Sequence, residues 1–306
     1  MALSDKKFQK LEIGDANIIT AGLCDHYDPA WSPDGRWLAF SGGAGEVHIF
    51  ITNPQGLLAR QLTHGQGIHA EATWAPDGRT LAYTWKKTGA GRWQIWIGDL
   101  HEPHATRCLL SSTRFHYQHP SFSPNGRQMV FSSSQGASPD AYNLWVMDLE
   151  TNQKSPLTHD ATRHDSNPTY SPDGTKILYC SEPAGQPDAR QLHWLDLETG
   201  AISRLTGHER AAGPGTFIAK DLVLYTRHSN KRGTDLRALN LSSGETLRLV
   251  PGASCVSICN QEDGSVTLAW ANGKPTEIHT AQLDGYQSSA SEYKAIEGPL
   301  TIKTNG

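Results

Sequence analysis

Histidines and carboxylates recur at fixed distances ahead of a repeated turn. Counting back from the serine of each Ser-Pro-Asp/Asn-Gly turn, or from Ala75 where alanine replaces it, the sixth residue is His26, His69, Tyr117 or Asp165. The fourth is Asp28, Glu71, His119 or Asn167, and the seventh in the last two copies is His116 or His164. Imidazole and carboxylate groups brought to one level suit a divalent transition metal better than calcium or magnesium. The same groups suit acid–base work, because imidazole titrates near neutral pH. Basic residues accompany them. Arg114, Arg163 and Arg210 stand ahead of the first strands of three consecutive units, and Arg190, Arg227, His228, Lys231 and Arg232 fall in the later loops of theirs, between second and third strands, as do Lys86, Lys87 and Arg92. Guanidinium groups match carboxylate and phosphate geometry, so this set points to an anionic ligand. A plainer reading stands beside it. Short polar side chains cap turns, a residue ahead of proline is held extended, and a repeat copies residues whether or not each copy is used.

What must position these residues is the repeat itself. HYDPAWSPDGRWLAF returns as HAEATWAPDGRTLAY, HPSFSPNGRQMVF and NPTYSPDGTKILY, with the Asp/Asn-Gly pair stepping by 43, 48 and 48 residues. Two weaker copies, GPGTFIAKDLVLYT and VSICNQEDGSVTLAW, bring the number of units to six. In each turn proline presets φ and glycine takes the left-handed conformation that closes a hairpin. The third to fifth residues after the glycine are apolar in the four strong copies (Leu38-Ala39-Phe40, Leu81-Ala82-Tyr83, Met129-Val130-Phe131, Ile177-Leu178-Tyr179), which predicts a strand buried between two layers. An alternating third strand (QIWIGDL, NLWVMDL, QLHWLDL) and a short fourth (RQLTH, SPLTH, SRLTG) complete each unit. Four strands at a period of 40 to 50 residues predict propeller blades.

The expected architecture is all-β: a six-bladed propeller of four-stranded antiparallel blades, forming a single domain over residues 1–306 with blades over 16–286 and a polar tail over 287–306. The segment Ala16–Trp31 aligns with Ala59–Trp74, so the chain opens with a fourth strand, and the last unit lacks one. The N-terminal strand is therefore expected to complete the last blade and close the ring. In that geometry the first strand of each blade lines a central channel. The histidines, carboxylates and basic residues then gather at one mouth of it, here called the top, with His64, His159 and His208 on the same rim. Asp99, Asp148 and Asp196 recur inside the blades and read as structural, and Trp85, Trp93 and Trp96 cluster in the second blade.

Composition narrows the class. A net charge of -4 lacks the basic bias of a nucleic-acid surface, and no apolar run reaches membrane-helix length. The N-terminus shows no secretory signal, and the odd set of five cysteines has no CxxC pair, so a cytoplasmic protein with reduced thiols is expected. The motifs GxSxG, GxxxxGK[ST] and HExxH and the Rossmann fingerprint are missing from the sequence.

The W/F/Y-S-P-D-G-x-x-[ILM]-[AVL]-[FY] pattern resembles the TolB-like propeller repeat, also called PD40 or WD40-like, across nearly the whole chain. That resemblance implies a six-bladed ring. Two functions stay open. One is a non-catalytic propeller holding a protein, a peptide or a small anion on its top face. The other is an enzyme on acidic, uronate-containing oligosaccharides, as in lyases with TolB-like propellers and a metal site in the channel mouth. The residues expected to meet a ligand are His26, Asp28, His69, Glu71, Arg114, His116, Tyr117, His119, Arg163, His164, Asp165 and Arg227.

Overall fold

The computed structural model describes residues 5–20, 25–89, 91–102, 105–136, 141–207, 211–229, 233–261, 263–273 and 276–286. Among them lie six antiparallel sheets, one for each sequence unit. The inner strands are His26–Trp31, Ile68–Trp74, Tyr117–Phe122, Arg163–Tyr170, Ala211–Ala219 and Ser254–Asn260. Each contacts the next in cyclic order, and the sixth contacts the first, so the sheets form a ring. Arg210, Lys231, Arg232, His208, Cys24 and the 287–306 tail fall outside the described residues.

Closure follows the sequence expectation, in two pieces. Glu12–Ile13 pairs with the far end of Glu277–Asp284, through Glu12 opposite Asp284. Asn17–Ile18 pairs with its near end, through Ile18 opposite His279. A short helix, Asp5–Phe8, precedes them, and its Phe8 is fully buried with Leu11 against Leu222, Leu236 and Leu268 of the fifth and sixth blades.

The Ser-Pro-Asp-Gly turn is held by its own side chains. In the first blade the Ser32 hydroxyl donates to Asp34 at 2.6 Å and accepts the Trp37 N–H at 2.9 Å, while Asp34 accepts the Arg36 N–H. Ser123 with Asn125 and Ser171 with Asp173 repeat this set. Where Ala75 replaces serine, Asp77 instead accepts from Thr80 through both N–H and hydroxyl. The glycines Gly35, Gly78, Gly126 and Gly174 have φ between 66° and 72°.

The apolar triplets after these turns form the core, and the core is divided by interface. Six buried clusters lie one between each pair of adjacent blades. Trp31, Leu38 and Phe40 of the first blade, for example, meet Cys259, Ala269, Ala271 and Ile278 of the sixth. Burial of both faces explains why these strands read as continuous apolar runs.

The fourth-strand Leu-Thr pairs have a role of their own. The hydroxyls of Thr63, Thr158 and Thr206 each accept the backbone N–H of the second residue of the third strand in the same blade, from Ile49, Leu144 and Leu192, all at 2.9 Å. Thr20 does the same for Ile278 across the closure, also at 2.9 Å. The recurring aspartates are structural as well. Asp99 is paired with Arg79, Asp196 with Lys176 at 2.8 Å, and Asp148 caps Glu150 and Thr151. The Thr158→Val change leaves the Leu144 N–H buried without its acceptor. It is expected to cost about 1–3 kcal/mol, measured as a lower urea midpoint at unchanged m-value.

Candidate functional site

Each inner strand carries a bulge, and the bulges build the channel. In the first four blades the ladder shifts register between Tyr27 and Ala30, Ala70 and Thr73, Gln118 and Ser121, and Ser166 and Thr169. The residues that begin these bulges are Asp28, Glu71, His119 and Asn167, with φ of 52°, 57°, 52° and 52°. Three of the four precede proline, and the expectation that they are extended does not hold: the backbone is left-handed. A non-glycine residue there costs on the order of 1–3 kcal/mol and persists only where its surroundings over-determine it. In the sixth blade the strained residue is Cys255, φ 47°. Its turn is one residue shorter, with Gln261 N–H reaching Ser265 where Ser32 reaches Trp37, and its bulge sits further from the turn, between Ser254 and Val256.

These residues link blade to blade. The Cys255 thiol donates to Asp28 Oδ1 at 3.3 Å. Asp28 in turn accepts the backbone N–H of Glu71. Glu71 accepts the His119 N–H at 3.0 Å, faces His119 Nε2 at 3.1 Å, and takes a 3.2 Å bond from the Thr84 hydroxyl. The other ring nitrogen of His119, Nδ1, is buried and has no partner among the described residues.

The electrostatics differ along this chain. Burial and the neighbouring Glu71 charge push the Asp28 carboxyl up to about 6. Burial also raises Glu71, but the His119 ring and its hydrogen bonds outweigh that and hold it below the usual carboxylate value. Burial and the Asp28 charge push the Cys255 thiol well up, so it is no nucleophile.

The residues six before the turn lie behind this ring, not in it. His69 is 5% exposed, with Nδ1 on the Val47 carbonyl at 3.1 Å and its ring against His48, Tyr83 and Trp85. Burial brings its pKa down to about 4. Tyr117 is buried edge-on to Phe131, and Asp165 is buried accepting from Ser181. His26 is half-buried beside Phe40. The structure therefore brings Asp28, Glu71, His119 and Asn167 to the bulge level of the channel and turns His69, Tyr117 and Asp165 into the blades.

His116 and His164 are both partly exposed, and both have their rings near Tyr142. The His164 ring stacks on Tyr142 at 4.6 Å, and that of His116 lies at 6.1 Å. Most of the basic residues have partners. Arg163 donates to Ser181 at 2.7 Å, and Arg190 makes a two-point contact with the buried Glu182 at 3.0 and 2.9 Å. Arg114 lies over Phe115, and Arg227 stands opposite Asp235 in its strand pair. Trp85 and Trp96 pack edge to face with the core, while Trp93 carries Lys86 over its ring. Cys255, Tyr142 and the Arg92–His116 contact escaped the sequence count, which was tied to a constant distance from the turn and to one strand per blade. Among the described residues no three His, Cys, Asp or Glu side chains gather closely enough to hold a metal ion. The donor set thus does not fit the metal centre considered from the sequence.

Asp28 and His69 oppose each other over one pH range. His69, neutral in the folded protein, destabilises it as pH falls from 6.5 towards about 4. Asp28, with its carboxyl raised from 3.8 to about 6, destabilises it as pH rises through the same range. Each effect is worth up to about 3 kcal/mol. In urea unfolding at stepped pH, His69→Gln is expected to lose less stability than the wild type between pH 7 and 4, and Asp28→Asn to lose more.

Comparison with known proteins agrees with this architecture. No described helix is long and apolar enough to cross a membrane. A search of curated proteins finds no match. Among solved structures, TolB from Acinetobacter baumannii is similar at TM-score 0.59 and 18% identity, over 86% of this chain and 64% of that one. A TolB structure from Agrobacterium tumefaciens is similar at 0.60 and 18%, over 77% and 84%. Oligogalacturonate lyase from Vibrio parahaemolyticus is similar at 0.60 and 14%, over 90% and 98%. The chain thus spans just under two thirds of the Acinetobacter protein, and likeness at such identities shows the fold alone. The family model of the TolB β-propeller domain (PD40) matches residues 90–255, more than half of the sequence, and so the chain belongs to the TolB β-propeller family.

Proposed function

We infer that the protein is a binding propeller that holds a partner protein or peptide at the top of its channel. One observation carries this reading: the strained, inward-facing ring of Asp28, Glu71, His119, Asn167 and Cys255. Left-handed non-glycine residues concentrate where a structure clamps a ligand. The ring holds groups a ligand could complete, namely the orphaned Nδ1 of His119 and a carboxyl at Asp28 that burial disfavours in its charged form. Its chemistry suits recognition rather than turnover. The one thiol is protonated, and Glu71 is already bonded to His119 and Thr84.

Turnover of acidic oligosaccharides is the alternative. The fold likeness to oligogalacturonate lyase and the basic rim speak for it. The lack of three converging metal ligands among the described residues speaks against its metal-assisted form.

Affinity capture with the full chain, from an extract of its own cells, separates the outcomes. A partner held by wild type and lost by Asp28→Asn and by His119→Gln, with both variants folded, is the expected result. A partner that both variants keep would overturn the channel reading. So would accumulation of unsaturated uronate products when the protein is incubated with uronate oligomers and a divalent metal.

A further inference from the structure

The ring of His116 faces two donors and no acceptor. Its Nδ1 accepts the Trp93 backbone N–H at 3.2 Å, and its Nε2 lies 2.8 Å from Arg92 Nη1. A backbone amide and a guanidinium can only donate, and a neutral imidazole has one N–H and one lone pair. Whichever nitrogen carries the proton, one ring N–H points at a second donor; in the tautomer whose Nδ1 accepts from Trp93 that N–H is on Nε2, facing Arg92. Protonating the ring does not help. It would set a proton on Nδ1 against the Trp93 N–H and place a second positive charge beside Arg92. Burial, then Arg92, then Lys86 hold the imidazole below its ordinary pKa, so the ring is neutral at pH 7.

Two N–H groups thus converge on one spot at the rim between the second and third blades. Lys86, over the Trp93 ring at 5.5 Å, adds a further cation. Neither Lys86 nor Arg92 has a carboxylate partner among the described residues. Arg190, on the fourth blade, shows the difference, because Glu182 accepts from it at two points. What the second-blade cluster lacks is an acceptor with negative charge. The Tyr142 ring lies 6.1 Å from that of His116.

We propose that Arg92, the Nε2–H of His116 and Lys86 form an oxyanion site on the top face, where one oxygen of a ligand carboxylate or phosphate accepts from Arg92 and His116 together. Such an oxygen replaces a donor–donor contact with two hydrogen bonds, one of them charge-assisted. The inference rests on the binding reading only in supposing that this face meets a ligand, and its test is independent of the channel.

The test is a titration of the full chain at neutral pH with inorganic phosphate and, separately, acetate, with sodium chloride as the control for ionic strength. The His116 imidazole is followed by nitrogen–proton correlation, its signals assigned by their loss in His116→Gln. The expected result is a saturable shift with phosphate, acetate or both that chloride does not reproduce. Phosphate alone would assign a phosphate-bearing ligand, and acetate alone a carboxylate-bearing one. Arg92→Gln, at an exposed position, should weaken the effect about tenfold or more, the loss of one charge-assisted hydrogen bond. A shift that chloride matches, or an affinity unchanged in Arg92→Gln, would overturn the proposal. Either failure leaves the Asp28 and His119 capture result standing.

Discussion

A blade with two apolar faces must be covered on both, and everything else in this protein follows from that requirement. Trp31, Leu38 and Phe40 look towards the sixth blade, while Ala39, Ile49 and Ile51 look towards the second. A row of such sheets leaves a bare face at each end unless it bends round and meets itself. The ring is the arrangement in which each of the six clusters has both its walls.

Bending the sheets into a ring brings the inner strands together, and the bulges shape what they enclose. A regular strand would alternate its side chains between the two blade interfaces. One extra residue in a left-handed conformation breaks that alternation and turns Asp28, Glu71 and His119 onto one another across three successive blades. The six interface clusters hold the strain in place, since none of these strands can relax without disturbing packed neighbours on both sides. Stability and recognition are thereby separated along each inner strand. The half nearer the turn is core, the bulge faces the channel, and His69, Tyr117 and Asp165 just beyond it are buried in the blades again.

How much of this could be read beforehand depends on whether a feature is local. The turns were legible because Ser32 and Asp34 form their hydrogen bonds within the motif itself, and the closure because the Ala16–Trp31 segment aligns with the one that follows it. The four channel positions Asp28, Glu71, His119 and Asn167 were legible as a level, since equal spacing from equal turns puts residues at equal depth. Their left-handed backbone was not, because the proline that follows argues for an extended residue and only the register across the strand pair reveals the bulge. Cys255 was hidden because the bulge of the sixth blade sits two residues further from its turn. His69 read like its neighbours although its side chain lies between blades, where Val47 and Trp85 belong to distant parts of the sequence. The threonine of the Leu-Thr pairs was visible as a repeat, but its meaning lay in a partner strand.

The seam carries one more consequence. Thr63 reaches its partner Ile49 over 14 residues, whereas Thr20 reaches Ile278 over 258. Closing the longer loop costs about 2–3 kcal/mol more in chain entropy. On the ribosome the first strand of the ring emerges early and has nothing to pair with until nearly the whole chain has followed. The interface between the first and sixth blades is therefore the one whose two sides are made furthest apart in time. Cutting the chain between two other blades and joining the present ends would move that late step elsewhere around the ring and leave the same six interfaces.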